Sequence, residues 1–118
     1  MGLFNKKNKN TDGNSSKSAT LKISVSNEGA EYTFNVEGRL DTNTSPELEA
    51  KINEVIGNVN KLIIDLGNLE YISSAGLRVL LGAAQVMEGK GDMVVRNVTE
   101  AVKEVFDLTG FNHVFRIE

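Results

Sequence analysis

The stretch that most limits what this chain can become is residues 61–85, KLIIDLGNLEYISSAGLRVLLGAAQ. Leu62, Ile63 and Ile64 form an unbroken apolar run rich in β-branched side chains, which suits a strand buried on both faces. Asp65, Gly67 and Asn68 interrupt it with residues that favour a turn. Tyr71 and Ile72 restore apolar character, and Ser73-Ser74 arrive immediately before a helical repeat. Serine in that place starts helices, because its hydroxyl accepts a bond from a backbone N–H that has no intrahelical partner. The expected order is strand, short loop, serine pair, helix, with two hydroxyls near the surface at the positive end of the helix.

From Ala75 to Met87, the residues Leu77, Leu80, Leu81, Ala84 and Met87 recur at helical spacing, and Val79, Ala83 and Val86 widen the apolar face. Ser74, Arg78, Gly82 and Gln85 remain, spaced by four, four and three, and so form one stripe. A phosphate on Ser74 would lie in the field of the helix N-terminus, where negative charge is favoured, and one turn from Arg78. Gly82 costs about 1 kcal/mol against alanine inside a helix, which a flat docking surface would explain. A plainer account also fits: a serine that is only a cap, and a glycine that only allows close internal packing.

The run Asp65-Leu66-Gly67-Asn68-Leu69-Glu70-Tyr71-Ile72-Ser73-Ser74-Ala75-Gly76-Leu77 resembles the signature of STAS domains, and more narrowly that of bacterial anti-sigma factor antagonists. The family's usual motif is Asp-Ser-Ser/Thr-Gly-Leu. Its phosphorylated serine falls on Ser74, and Gly76-Leu77 match directly. Ser73 stands where the family has Asp, and Ala75 stands where it has a second Ser or Thr. Gly38-Arg39-Leu40-Asp41 is similar to a second family element, and the run from Ala101 to Phe111 to a third. The resemblance covers roughly residues 21–118 and implies a fold, a partner and a modification. The fold would be a STAS-type α/β domain. The partner would be an anti-sigma factor serine kinase that phosphorylates Ser74, and a PP2C-type phosphatase would reverse the mark.

The rest of the chain is consistent with one such domain. Residues 1–20 are rich in Asn, Lys, Ser and Gly, with Lys6, Lys7, Lys9 and Lys17 against Asp12, and are expected to be a disordered basic tail. Gly2 does not complete an N-myristoylation motif, because position 6 is Lys. Leu3 and Phe4 beside lysines offer at most a weak membrane contact. Leu21, Ile23 and Val25 alternate with polar residues, as do Tyr32, Phe34 and Val36, which predicts a hairpin turning at residues 27–29. Pro46 suits the first turn of a helix capped by Thr44 or Ser45 and carrying Leu48, Ile52, Val55 and Ile56, ended by Gly57-Asn58. Met93-Val94-Val95 reads as a strand. Thr99 caps a helix bearing Val102, Val105, Phe106 and Leu108 that Gly110 stops, and Val114, Phe115 and Ile117 read as a last strand. The order is ββαβαβαβ, a mixed β-sheet with helices packed on it.

Chemistry is sparse in this inventory. The chain has no cysteine and one histidine, His113, placed beside the last strand rather than in a catalytic setting. Ser73 and Ser74 lack the Gly-x-Ser-x-Gly elbow of a hydrolase. Asp41 and Asp65, read as strand-end carboxylates, make no metal site without a histidine, and no phosphate-loop or dinucleotide motif occurs. No cofactor, metal or catalytic residue is expected, so the chain reads as a non-enzyme. The net charge of −3 divides into +3 over the first twenty residues and −6 over the remainder, and an acidic body argues against nucleic acid as a partner. No apolar run spans a bilayer and no secretory segment opens the chain, so direct membrane insertion is not expected and the cytoplasm is the expected location.

Three functions from different classes remain. In the first, the Ser74–Arg78–Gly82–Gln85 stripe, with Ser73 beside it, docks on the kinase when Ser74 is unphosphorylated and so frees a sigma factor. By family analogy Asp41, Thr42 and Asn43 shape the same surface. In the second, the domain is a constitutive scaffold in a signalling or membrane-associated complex. In the third, the helix N-terminus holds a nucleotide or another small anion.

Overall fold

The computed structural model describes residues 20–118, so the expected basic tail lies, but for Thr20, outside the described residues. The elements are β1 (Leu21–Glu28), β2 (Glu31–Leu40), α1 (Ser45–Val55), β3 (Lys61–Ile72), α2 (Ser74–Met87), β4 (Asp92–Arg96), α3 (Glu100–Thr109) and β5 (Arg116–Ile117). Short 3-10 turns follow α1 at Ile56–Asn58 and α3 at Phe111–His113. The predicted order is borne out.

The five strands lie in the order β1-β2-β3-β4-β5. β1 pairs antiparallel with β2 through the two-residue loop Gly29-Ala30, where Gly29 takes φ +60°, a value that glycine reaches without penalty. The remaining pairs are parallel. Because the order never reverses, right-handed crossovers place each connecting helix on the same side of the sheet. The packing agrees. Leu48 and Ile52 of α1, Leu77, Leu80, Ala83 and Met87 of α2, and Val102 and Phe106 of α3 join Phe34, Val36, Leu62, Ile64 and Leu66 in one buried cluster. The opposite face presents Lys22, Ser24, Ser26, Thr33 and Asn35 around the buried, paired Ile63 and Val94.

β3 differs most from expectation. Asp65, Gly67 and Asn68 do not leave the sheet, and the strand runs on to Ile72. Asn35 pairs with Asp65 but Glu37 with Asn68, and Gly38 pairs with Leu69 but Arg39 with Tyr71. Each step inserts one extra residue into β3, a pair of β-bulges. The Asp65 carboxylate accepts the Gly67 N–H at 2.9 Å and the Asn97 side-chain amide at 3.0 Å, so the turn-like residues build the first bulge. Each insertion resets the alternation of side chains. Leu66, Leu69 and Ile72, three apart, therefore all reach the helical face and are buried. Asp65 is accordingly a mid-strand residue rather than a strand-end one.

Smaller corrections have local causes. Thr44 precedes α1 but its side chain does not cap it, being engaged by the loop before it. Val86 and Leu108, expected on apolar faces, are 49% and 83% exposed, at the margins of stripes whose centres are Leu80–Ala83 and Val102–Phe106. The last strand is shorter than expected, because residues 111–113 form a 3-10 turn that leaves Val114 and His113 exposed. Phe115 is buried there, with ring centroids 5.6 Å from both Phe106 and Phe111. Among the described residues no helix is long and apolar enough to cross a membrane.

Candidate functional site

The predicted site residues collect where β2 and β3 end and α1 and α2 begin. Leu40 pairs with Ile72, and the next backbone N–H, that of Ser73, donates to the Leu40 carbonyl at 2.9 Å. This contact fixes the loop after β2, residues 41–44, beside the first turn of α2. The serine pair divides its work. Ser73 is the N-cap in extended conformation, its hydroxyl accepting the Gly76 N–H at 3.4 Å while its carbonyl accepts the Leu77 N–H at 3.0 Å. Ser74 is the first helical residue and is exposed, and its hydroxyl has no partner among the described residues. In this chain Ser73 thus supplies the oxygen that an aspartate could equally supply as a cap.

Arg78 follows one turn later, exposed and in no ion pair among the described residues. Gly82 and Gln85 continue the stripe, so that it extends about 16 Å along α2 at 1.5 Å per residue. The two helical glycines have opposite surroundings. A Cβ on Gly76 would lie 2.8 Å from Leu40 Cγ and 2.9 Å from Ile72 Cγ1, whereas a Cβ on Gly82 would meet nothing within 4 Å. Close internal packing therefore accounts for Gly76 and does not account for Gly82. Beside Gly82 a groove of about 210 Å³ separates α2 from α1, with Ile52, Ile56, Val79 and Val86 in its walls.

The 41–44 loop is held from within. The Asp41 carboxylate accepts the backbone N–H of Asn43 at 2.9 Å and of Thr44 at 3.0 Å. The buried Thr44 hydroxyl accepts the Asp41 N–H at 2.9 Å and donates to the Arg39 carbonyl at 2.8 Å. Thr42 and Asn43 are left exposed at the tip. The Thr44 N–H holds the Asp41 carboxyl below its ordinary value of 3.8. The Asn43 N–H, the Thr44 hydroxyl and the Arg39 charge act in the same direction, while desolvation opposes them. A depressed folded-state pKa contributes stability above the unfolded value, and that contribution is lost as pH falls through the folded one. Thermal unfolding followed from neutral pH to below 3.8 should therefore show a loss of stability at the acid end that Asp41→Asn flattens. The amide keeps the acceptor oxygen and removes the titration, so an unchanged acid limb would refute this role for Asp41.

One pair at the site was not anticipated. The Arg39 guanidinium lies over the Tyr71 ring, 4.3 Å from its centroid, beside the Asp41 loop, with Tyr71 40% exposed. Both residues stand in motifs that the sequence singles out. Their contact depends on the second bulge of β3, which brings Tyr71 opposite Arg39.

Comparison with known proteins agrees with this geometry. BtrV of Bordetella bronchiseptica, whose name assigns it provisionally to the anti-sigma factor antagonists, is 37% identical over 84 residues, 70% of this chain and 72% of BtrV. The crystal structure of an anti-sigma factor antagonist from Mycobacterium paratuberculosis superposes with a TM-score of 0.76 at 26% identity, covering 82% of this chain and 84% of that one. The antagonist SpoIIAA, solved unphosphorylated and phosphorylated, gives TM-scores of 0.72 and 0.67 at 22% and 21% identity, over 82% of this chain and 88% and 91% of the two SpoIIAA chains. With residues 22–118 matching the model of the STAS domain, the chain belongs to the STAS domain family.

Proposed function

We propose that this chain is an anti-sigma factor antagonist, a binding protein rather than an enzyme, whose docking surface is switched by phosphorylation of Ser74. The observation that carries the reading is the division of labour in the serine pair. Ser73 caps α2, so Ser74 is free to be modified without unravelling the helix. The names of the relatives support it, since BtrV and SpoIIAA are both described as anti-sigma factor antagonists.

Unphosphorylated, the Ser74–Arg78–Gly82–Gln85 stripe and the Asp41-Thr42-Asn43 loop meet an anti-sigma factor serine kinase, which then releases its sigma factor. Phosphate on Ser74 adds nearly two negative charges and the bulk of three oxygens at the near end of that surface. The helix N-terminus and Arg78 hold the group in place, and the partner surface that accommodated a hydroxyl is excluded. A PP2C-type phosphatase restores the binding form. The cytoplasm is the compartment such a cycle requires.

Phosphopeptide mapping of the protein from its native cells, across growth and stress, tests the reading. Phosphate on Ser74 that rises and falls with condition is the expected result. A Ser74 that is never modified, in a protein still recovered with a stable partner, would instead make the domain a constitutive scaffold.

A further inference from the structure

The two edges of the sheet are unlike. β5 contributes two residues and offers almost no edge, whereas β1 is eight residues long. β1 pairs with β2 without interruption, contains no proline, and is charged only at Lys22 and Glu28. Its centre, Ile23 to Asn27, is uncharged, with Val25 43% exposed. Among the described residues nothing covers its outer side. Proteins ordinarily blunt such an edge with a bulge, a proline or a central charge, and β1 has none of these.

We propose that the occupant is a second copy of this chain, paired antiparallel through β1 with Val25 opposite Val25. The charge pattern of the strand argues for it, because it is self-complementary in that register. Residues whose numbers sum to fifty lie opposite each other, so Lys22 of each copy faces Glu28 of the other, on one side of the sheet. The two exposed valines meet on the opposite side, at the two-fold axis. Moving the axis to Ser24 puts Lys22 opposite Ser26, and moving it to Ser26 puts Lys22 opposite Ala30 beyond the strand, so either shift removes both ion pairs. Within one chain Glu28 also lies directly opposite Glu31, a like-charge pair that Lys22 of the second copy offsets. The sheet becomes continuous through both copies with the helices on one side. None of Asp41, Ser74, Arg78 or Gly82 lies on β1, so the pairing does not depend on the reading of that surface.

An interface of this size belongs to the weak class, so the dimer is concentration-dependent. Sedimentation equilibrium of the full chain from about 1 µM to about 1 mM should show a shift from one chain to two. Lys22→Glu and Glu28→Lys should each lose the shift, since both copies then present like charges. An equimolar mixture of the two variants should recover it, because every pair in the mixed dimer is opposite in sign. Val25→Lys should also disperse the dimer, by placing two lysines at the axis, and far-UV circular dichroism confirms that each variant is folded. A wild-type chain that stays monomeric throughout, variants that associate as wild type does, or a mixture that fails to recover would each overturn the proposal.

Discussion

Replacing Ser74 by glutamate is expected to weaken binding to the proposed anti-sigma kinase by about 100-fold, and replacing it by alanine to leave affinity nearly unchanged. Ser74 is exposed at the first position of α2, so neither substitution disturbs packing. A carboxylate there introduces charge where the partner surface is closed to solvent in the complex. Like-charge or desolvation penalties of that kind reach several kcal/mol, and about 2.7 kcal/mol corresponds to 100-fold in affinity. Alanine removes the acceptor of phosphate and nothing else that the fold uses, because Ser73 provides the cap. Titration calorimetry of the three forms with the kinase, alongside labelled-phosphate transfer from ATP, measures both effects. Full binding by Ser74→Glu would refute the switch while leaving the fold assignment intact.

Gly76→Val is expected to cost about 3 kcal/mol, toward the upper end of what overpacking a core usually costs. The first turn of α2 rests on Leu40 and Ile72, both at 2% exposure or less, and a Cβ at position 76 falls within 3.0 Å of each. Carbon atoms prefer about 3.5–4.0 Å, and neither neighbour has solvent to retreat into. The gain in helix propensity over glycine is well under 1 kcal/mol and does not offset the clash. Urea unfolding should show a lower midpoint with an unchanged slope. Gly82→Val, where a Cβ meets nothing, is the matched control and should leave the midpoint nearly in place. Equal behaviour of the two variants would mean that α2 is seated differently on the sheet.

The two glycines show where the sequence is legible and where it is silent. Helical spacing puts Gly82 on the polar stripe, but it does not say whether a Cβ there would meet a neighbour, nor that Gly76 presses on Leu40 and Ile72. The same holds for Arg39 and Tyr71, more than thirty positions apart in the chain, whose contact follows from strand register. β3 is the sharpest instance. Asp65, Gly67 and Asn68 have local turn chemistry, and locally they do bend the backbone, with Asp65 accepting the Gly67 N–H. The strand nevertheless continues, because pairing with β2 satisfies the backbone on both sides of each bulge.

What the sequence by itself determined is therefore what short-range physics controls. The alternation in β1 and β2, the apolar stripes of α1, α2 and α3, a serine cap within Ser73-Ser74, the cap Thr99, and the left-handed stop at Gly110 all follow from residues within a turn or two of one another. They suffice for the order of elements and for placing Ser74 at a helix start. Only the tertiary structure decided that Leu66, Leu69 and Ile72 share a face, that Asp41 is locked by its own loop beside the serine pair, and that β1 is a long edge left bare among the described residues. These depend on which strand lies next to which and in what register. Register is set by burying one face of the sheet as a whole, a condition that no single segment carries.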